Sequence, residues 1–202
     1  MSNSQNFLNV LIILSLPFQF SFHLNYYIVN SKNIQHDWDY TKISNFQLEV
    51  SERITSYFAA ISSIIWIFAS YKIRKRRLPI MINFIIGGVV WLLYILINDE
   101  TLWLAIILRA INGILLGFFQ SVHISFMMHF VEKDLTCFHG CLIQFTMFLS
   151  LCTLYILTYN LPWIPVCIIL SVQSFAFAGL IWLVVRLRGA TGTSPFAPTY
   201  RF

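Results

Sequence analysis

Uncharged polar side chains recur along the first apolar segment of this chain, and their spacing places them together. Ser15, Gln19, His23, Tyr26 and Asn30 are separated by 4, 4, 3 and 4 residues, which is the repeat of one helical face. Amide, imidazole and hydroxyl groups on one face can line a cavity, or they can hydrogen-bond to neighbouring helices. The pattern therefore predicts either a cavity wall or a polar helix contact, and it leaves both interpretations open.

Two later apolar segments also contain polar residues that are candidates for a functional role. Arg109 is followed by Gly113 and Gly117, and Gln144 is the strongest polar residue of its segment. A charge inside an apolar segment is costly, so Arg109 indicates a structural or gating role. The alternative is that the side chain of Arg109 extends to the near end of its helix. The two glycines predict a face on which another helix packs closely.

Other chemistry finds little support in the sequence. The four cysteines lie in or beside apolar segments, which predicts no disulfide framework, and the spacing of Cys137 and Cys141 fits no usual zinc site. Histidines do not recur across enough segments to hold haem, and no nucleophile–base pair or phosphate-binding loop occurs. We therefore expect no metal, no cofactor and no catalytic residue, and we predict that the chain is not an enzyme.

The composition points to the class of protein that positions these residues. Of the 202 residues, 58% are hydrophobic and only 10% are charged, whereas a soluble domain has about 25% charged residues. The net charge of +5 would suit nucleic acid, but five of the basic residues cluster at 72–77, between two apolar segments. We therefore predict an all-α membrane protein whose partner is the lipid bilayer and not nucleic acid.

Six apolar segments have about the length that crosses a bilayer. The predicted spans cover about 7–27, 54–71, 80–97, 102–128, 138–158 and 163–185. Together they form a six-span membrane domain over 1–188, and the Gly-, Thr-, Ser- and Pro-containing tail 189–202 is predicted to be flexible. Because a basic loop stays on the cytoplasmic side, both termini are predicted to be cytoplasmic, and the plasma membrane is the expected location.

The second segment carries a repeat of small residues. Ser56, Ser63 and Ser70 recur every seven residues, with Ala59 and Ala60 between them. Small residues on one stripe allow two helix backbones to approach closely. This repeat predicts a packing seam rather than a binding site.

Several of these residues stand at the positions of one family's landmarks. They are the arginine pair that ends the loop after the second span, the Arg-x3-Gly-x3-Gly pattern of the fourth span and the glutamine of the fifth: Arg76, Arg77, Arg109, Gly113, Gly117 and Gln144. In these features the chain resembles the N-terminal six-helix half of a major facilitator superfamily protein, in the facilitative sugar (glucose) transporter branch. The resemblance implies half of a major-facilitator fold.

The resemblance also implies roles for individual residues. In the family, the glutamine at the position of Gln144 faces the central cavity and bonds the sugar, and the run that begins at Gln19 is similar to a family Gln-Phe-Gly-Tyr run. We therefore expect Gln144, Gln19 and His23 to bind substrate. The arginine pair, Arg109 and its two glycines would have gating or structural roles.

The chain departs from the family at the inner charge cluster and in its length. His129 stands where the family has an acidic residue, Thr136 and Cys137 replace an Arg-Gly pair, and the second six helices of the family are not in this sequence. A lone half would be an incomplete carrier, so we expect a second six-helix half or self-association. The alternative interpretation is a truncated, non-transporting membrane protein that binds or regulates a partner.

The expected activity is facilitated diffusion of a hexose-like solute. The six predicted spans contain no Asp or Glu, so no acidic group is available inside the membrane for proton coupling. This absence favours movement of a solute down its gradient.

Overall fold

The computed structural model describes residues 14–26, 45–72, 77–97, 101–130 and 136–190, and all regular secondary structure among them is helical. Numbered in chain order, the helices are α1 (14–26), α2 (Asn45–Lys72), α3 (Arg77–Tyr94), α4 (Leu102–Phe130), α5 (Thr136–Asn160) and α6 (Trp163–Ala190). The predicted all-helical class is confirmed for this part of the chain.

Three of the helices are long and apolar enough to cross a membrane. Their apolar stretches are Trp103–Val122 in α4, Gly140–Asn160 in α5 and Trp163–Leu183 in α6. These three agree with the predicted fourth, fifth and sixth spans and indicate a membrane protein. The apolar stretches of α2 and α3, Arg53–Ala69 and Leu78–Tyr94, are shorter. The predicted first span begins at residue 7, outside the described residues.

Helices α1 and α3 run parallel along the polar stripe of α1. A Cβ atom at Gly87 would meet Gln19 and His23, and the rings of Tyr26 and Tyr94 lie 6.1 Å apart further along both helices. Helix α6 runs antiparallel to α1, because Gln19 contacts Ser174 whereas the later Tyr26 contacts the earlier Cys167. The stripe of α1 is therefore covered by α3 and α6.

Serine hydroxyls join the remaining helices through main-chain carbonyls. Between α1 and α5, Ser21 donates to the carbonyl of Met147 at 3.1 Å, and Ser150 donates to the carbonyl of Phe18 at 2.9 Å. Between α2 and α4, the Ser62 hydroxyl donates to a carbonyl of α4 at 2.7 Å. These bonds satisfy hydroxyl groups that an apolar environment would leave unpaired.

The helix pairs repeat between the two halves of the chain. When α1, α2 and α3 are matched with α4, α5 and α6 in that order, the contact between α2 and α4 corresponds to the contact between α5 and α1. In the same way, the contact between α3 and α4 corresponds to that between α6 and α1, and the contact between α3 and α6 corresponds to itself. Phe84 of α3 contacts Phe119 and Phe177, whereas the later Tyr94 contacts the earlier Asn112. The later Gly88 likewise contacts the earlier Ser171, so α4 and α6 run opposite to α1 and α3. The bundle is therefore two three-helix units of opposite orientation.

Apolar side chains fill the bundle on both sides of Gln19. One cluster surrounds Phe22 and Trp91 and extends to Leu170, and the other surrounds Leu16 and Phe84. Since Leu16 and Phe22 are both on α1, Gln19 lies between the two clusters along that helix. The core thus encloses a polar group where the two three-helix units meet.

Candidate functional site

The side-chain amide of Gln19 is the centre of a buried hydrogen-bond network. Its exposed fraction is 0%, and its Nε2 atom lies 2.6 Å from Ser174 Oγ and 3.0 Å from His23 Nε2. The Ser174 hydroxyl uses its own hydrogen on the carbonyl of Leu170 at 2.9 Å, so it must accept from Gln19. Gln173 Nε2 donates to Gln19 Oε1 at 3.5 Å, which agrees with this amide orientation.

The imidazole of His23 packs against α3. Its ring stacks on that of Trp91 with 4.9 Å between centroids, and a Cβ at Gly87 would lie 3.2 Å from His23 Nε2. The glycine therefore makes room for the ring. Because the Gln19 amide donates to Nε2, the ring hydrogen belongs on Nδ1.

Helix α4 adds an amide and a cation to the same region. Asn112 Nδ2 donates to the Tyr94 hydroxyl at 3.4 Å, and the Asn112 side chain also lies beside His23. Arg109, one turn earlier, is buried and lies within interaction range of the Tyr94 hydroxyl. We call this network the polar cluster, and its members are Gln19, His23, Trp91, Tyr94, Arg109, Asn112 and Ser174.

The chemistry of the polar cluster is hydrogen bonding. Its members supply amides, hydroxyls, an imidazole, an indole and the Arg109 guanidinium. Four buried polar atoms make no well-formed hydrogen bond within the described part of the chain, and they are His23 Nδ1, Trp91 Nε1, Asn112 Oδ1 and Asn83 Oδ1. The Asn112 side chain nevertheless lies within hydrogen-bonding reach of His23. Within the described ranges, no group of three or more His, Cys, Asp or Glu side chains could hold a metal ion.

The structure brings some of the predicted site residues together and separates others. Gln19 and His23 are adjacent and buried, but Gln144 is exposed on α5 and does not join them. Arg109 is buried at the polar cluster. Arg76 lies outside the described residues, and Arg77 begins α3, with its side chain outside the described part.

The two glycines of α4 lie against α2, as their spacing predicts. A Cβ at Gly113 would collide with the carbonyl oxygen of Thr55, and one at Gly117 would lie 2.5 Å from the carbonyl oxygen of Ala59. Only glycine allows the backbones to approach so closely.

Sequence reasoning missed four members of the polar cluster, Trp91, Tyr94, Asn112 and Ser174. Asn112 stands three residues after Arg109, which is a spacing that could have identified it. Trp91 and Ser174 carry no comparable signal, because their role depends on the helices that pack beside them.

Comparison with protein-family models, with curated proteins and with solved structures finds no match for this chain. A functional inference therefore rests on the geometry of the polar cluster and on the arrangement of the helices around it.

Proposed function

We propose that this chain is one six-helix half of a membrane carrier that moves a small uncharged polar solute by facilitated diffusion. The observation that carries the proposal is the position of the polar cluster between two three-helix units of opposite orientation. Many transporters are built from inverted repeats and bind substrate near the bilayer midplane, where the repeats meet. By analogy with these transporters, we propose the polar cluster as the place where the solute binds.

The chemistry of the polar cluster supports the class of solute. Amide, imidazole and indole groups hydrogen-bond the hydroxyl groups of an uncharged polar solute. A hexose-like molecule is the solute that the sequence resemblance implies. The proposed protein has six spans, with both termini on the cytoplasmic side of the plasma membrane.

The exposed surface supports the requirement for a second half. Gln120 on α4 and Gln144 on α5 are exposed within the stretches that can cross a membrane. Hydrocarbon offers these amides no hydrogen bonds, so we propose that another six-helix half or a second copy of this chain covers them. The enclosed space between the halves would be the solute pathway.

The test is uptake of labelled D-glucose by liposomes that contain the purified chain, alongside its molar mass in detergent. We expect saturable uptake from a two-half assembly and none from a monomer. Asn160→Ala, which changes an exposed residue at the end of α5, should leave uptake unchanged. Saturable uptake by a demonstrated monomer would contradict the two-half carrier.

One observation favours the alternative, a non-transporting membrane protein that binds or regulates a partner. Gln19 and His23 are covered by α3 and α6, so their hydrogen bonds also serve to hold helices together. Absence of uptake from every oligomeric state of a folded chain would support this alternative.

A further inference from the structure

A series of buried side-chain contacts crosses the bundle from α6 through α1 and α4 to α3. Gln19 Nε2 lies 2.6 Å from Ser174 Oγ and 3.0 Å from His23 Nε2. The Asn112 side chain lies within hydrogen-bonding reach of His23, and its Nδ2 atom donates to the Tyr94 hydroxyl at 3.4 Å. All five side chains are buried, so each hydrogen bond limits the role that the next side chain can take.

The direction of these hydrogen bonds follows from one serine. The Ser174 hydroxyl uses its hydrogen on the carbonyl of Leu170, so it accepts from the Gln19 amide. Because an amide nitrogen only donates, His23 Nε2, which faces the same nitrogen, must be an acceptor. The hydrogen of a neutral His23 ring is then on Nδ1. The opposite tautomer would place two donors 3.0 Å apart.

Asn112 provides the group that this tautomer requires. Its Nδ2 atom donates to the Tyr94 hydroxyl, so its Oδ1 atom is the one that can accept from His23 Nδ1. The Arg109 guanidinium, which can only donate, lies within hydrogen-bonding reach of the same hydroxyl. The Tyr94 oxygen therefore accepts at the far end of the series, and the orientation of the Asn112 amide agrees with the tautomer of His23.

We propose that Asn112 is a positioning residue, which holds His23 in the Nδ1-protonated tautomer and, through that ring, holds the Gln19 amide with its oxygen toward Gln173. The orientation of this amide decides whether Gln19 offers a solute hydroxyl an acceptor or a donor. The inference rests on the proposed function, because Gln19 and His23 are among the residues proposed to bind the solute.

The tautomer of His23 is measurable by nitrogen NMR of the purified full chain in detergent at neutral pH, with isotope-labelled histidine. The protonated and unprotonated nitrogens of a neutral ring resonate far apart, and their couplings to the ring hydrogens distinguish Nδ1 from Nε2. The signal of His23 is the one that disappears in His23→Gln. In the wild-type chain we expect a single neutral ring that is protonated on Nδ1.

Two variants and a matched control test the role of Asn112. Asn112→Leu removes the acceptor, and Tyr94→Phe removes the hydroxyl that orients the amide, so both should lose the single tautomer and show the Nε2-protonated ring. Tyr26→Phe removes another phenolic hydroxyl from the same core, one that contacts Cys167 instead, and it should leave the tautomer unchanged. In an assembly that takes up D-glucose, Asn112→Leu should raise the half-saturation concentration by about tenfold.

A residue that only packs would change the midpoint of thermal unfolding but not the tautomer of His23. An unchanged tautomer in both Asn112→Leu and Tyr94→Phe would therefore overturn the inference, and so would a wild-type ring protonated on Nε2. A change in Tyr26→Phe as large as that in Tyr94→Phe would overturn it as well. Nδ1 protonation that depends on Asn112, without D-glucose uptake by any assembly, would uphold the positioning and reject the carrier. Uptake by a chain in which His23 has no single tautomer would do the reverse.

Discussion

At the scale of single residues, Gln19 and Gln144 show how the same residue type can be buried at one position and exposed at another. Gln19 is fully buried and bonds Ser174 and His23, whereas Gln144 is exposed on the outer surface of α5. A buried amide that bridges two helices contributes to stability, and loss of its bonds leaves partners unsatisfied. The two glutamines therefore predict opposite effects of the same substitution.

Gln19→Leu should destabilise the chain by about 1–3 kcal/mol, because His23 Nε2 would lose its donor inside the bundle. Gln144→Leu should change stability by less than about 0.5 kcal/mol, as surface substitutions usually do. Denaturant unfolding of both variants in the same detergent, followed by circular dichroism, measures the difference. Equal effects of the two substitutions would show that the Gln19 network contributes nothing to stability.

At the scale of helices, the contact between α2 and α4 shows where the predicted packing seam lies. Ser63 is in the seam and accepts a hydrogen bond on its carbonyl from Ser121 at 2.9 Å, but Ser56 is exposed. The centre of the seam is on Thr55 and Ser62, one residue before Ser56 and Ser63 of the predicted repeat. The side chain of Ser70, the third member, lies outside the described residues. The glycines of α4 decide this offset, since close approach occurs where they lack side chains.

Gly117→Ala should therefore destabilise the bundle by about 1–3 kcal/mol, because the added Cβ would lie 2.5 Å from a main-chain oxygen that has little room to move. Gly179→Ala on α6 is the matched control, since a Cβ there would meet no atom within 4 Å. Alanine favours helix formation, so the control should be neutral or stabilising by up to about 1 kcal/mol. Unfolding midpoints of the two variants give the comparison. A destabilisation by Gly179→Ala as large as that by Gly117→Ala would argue against the close seam.

Helix α5 carries the prediction about access to water. Gln144→Cys, in a chain whose four native cysteines are replaced, should react with a small aqueous thiol reagent, because a lone amide in hydrocarbon would be unsatisfied. Phe145→Cys and Met147→Cys are the neighbouring comparisons. Labelling in proteoliposomes, measured by mass spectrometry, reports the reaction. Inertness at all three positions would count against a water-filled cavity beside α5.

At the scale of the whole molecule, the packing of α3 against α6 brings basic residues to one end. The two helices are antiparallel, so the start of α3 at Arg77 and the end of α6 lie at the same end of the bundle. Arg186, near that end of α6, is exposed and stacks over the ring of Trp182 at 5.1 Å. An arginine and a tryptophan at a helix end are typical of a membrane interface.

This shared basic end predicts the orientation of the chain. Because basic ends of membrane helices stay in the cytoplasm, tags on both termini should bind antibody only after cells are permeabilised. An external tag on a membrane protein of known orientation is the control for intact cells. Labelling of either terminus on intact cells would contradict the proposed topology and the six-span arrangement with it.

The sequence by itself determined the helical class, the positions of the apolar segments and the shared face of Ser15, Gln19, His23 and Tyr26. These properties are local, since the helical repeat alone places residues three and four apart on one face. All four of these residues are buried, which agrees with their position on one face of α1. The sequence also located Gly113 and Gly117 as a packing surface, because two glycines on one face let any neighbouring helix approach closely.

Only the tertiary structure decided what covers each face. The polar stripe of α1 lies under α3 and α6, which makes Trp91 and Ser174 its partners and separates it from Gln144. No local repeat encodes these contacts, because they join residues up to 155 positions apart and depend on how the helices pack against one another. The contact of His23 with Trp91 on α3 and with Asn112 on α4 likewise exists only because three helices pack together.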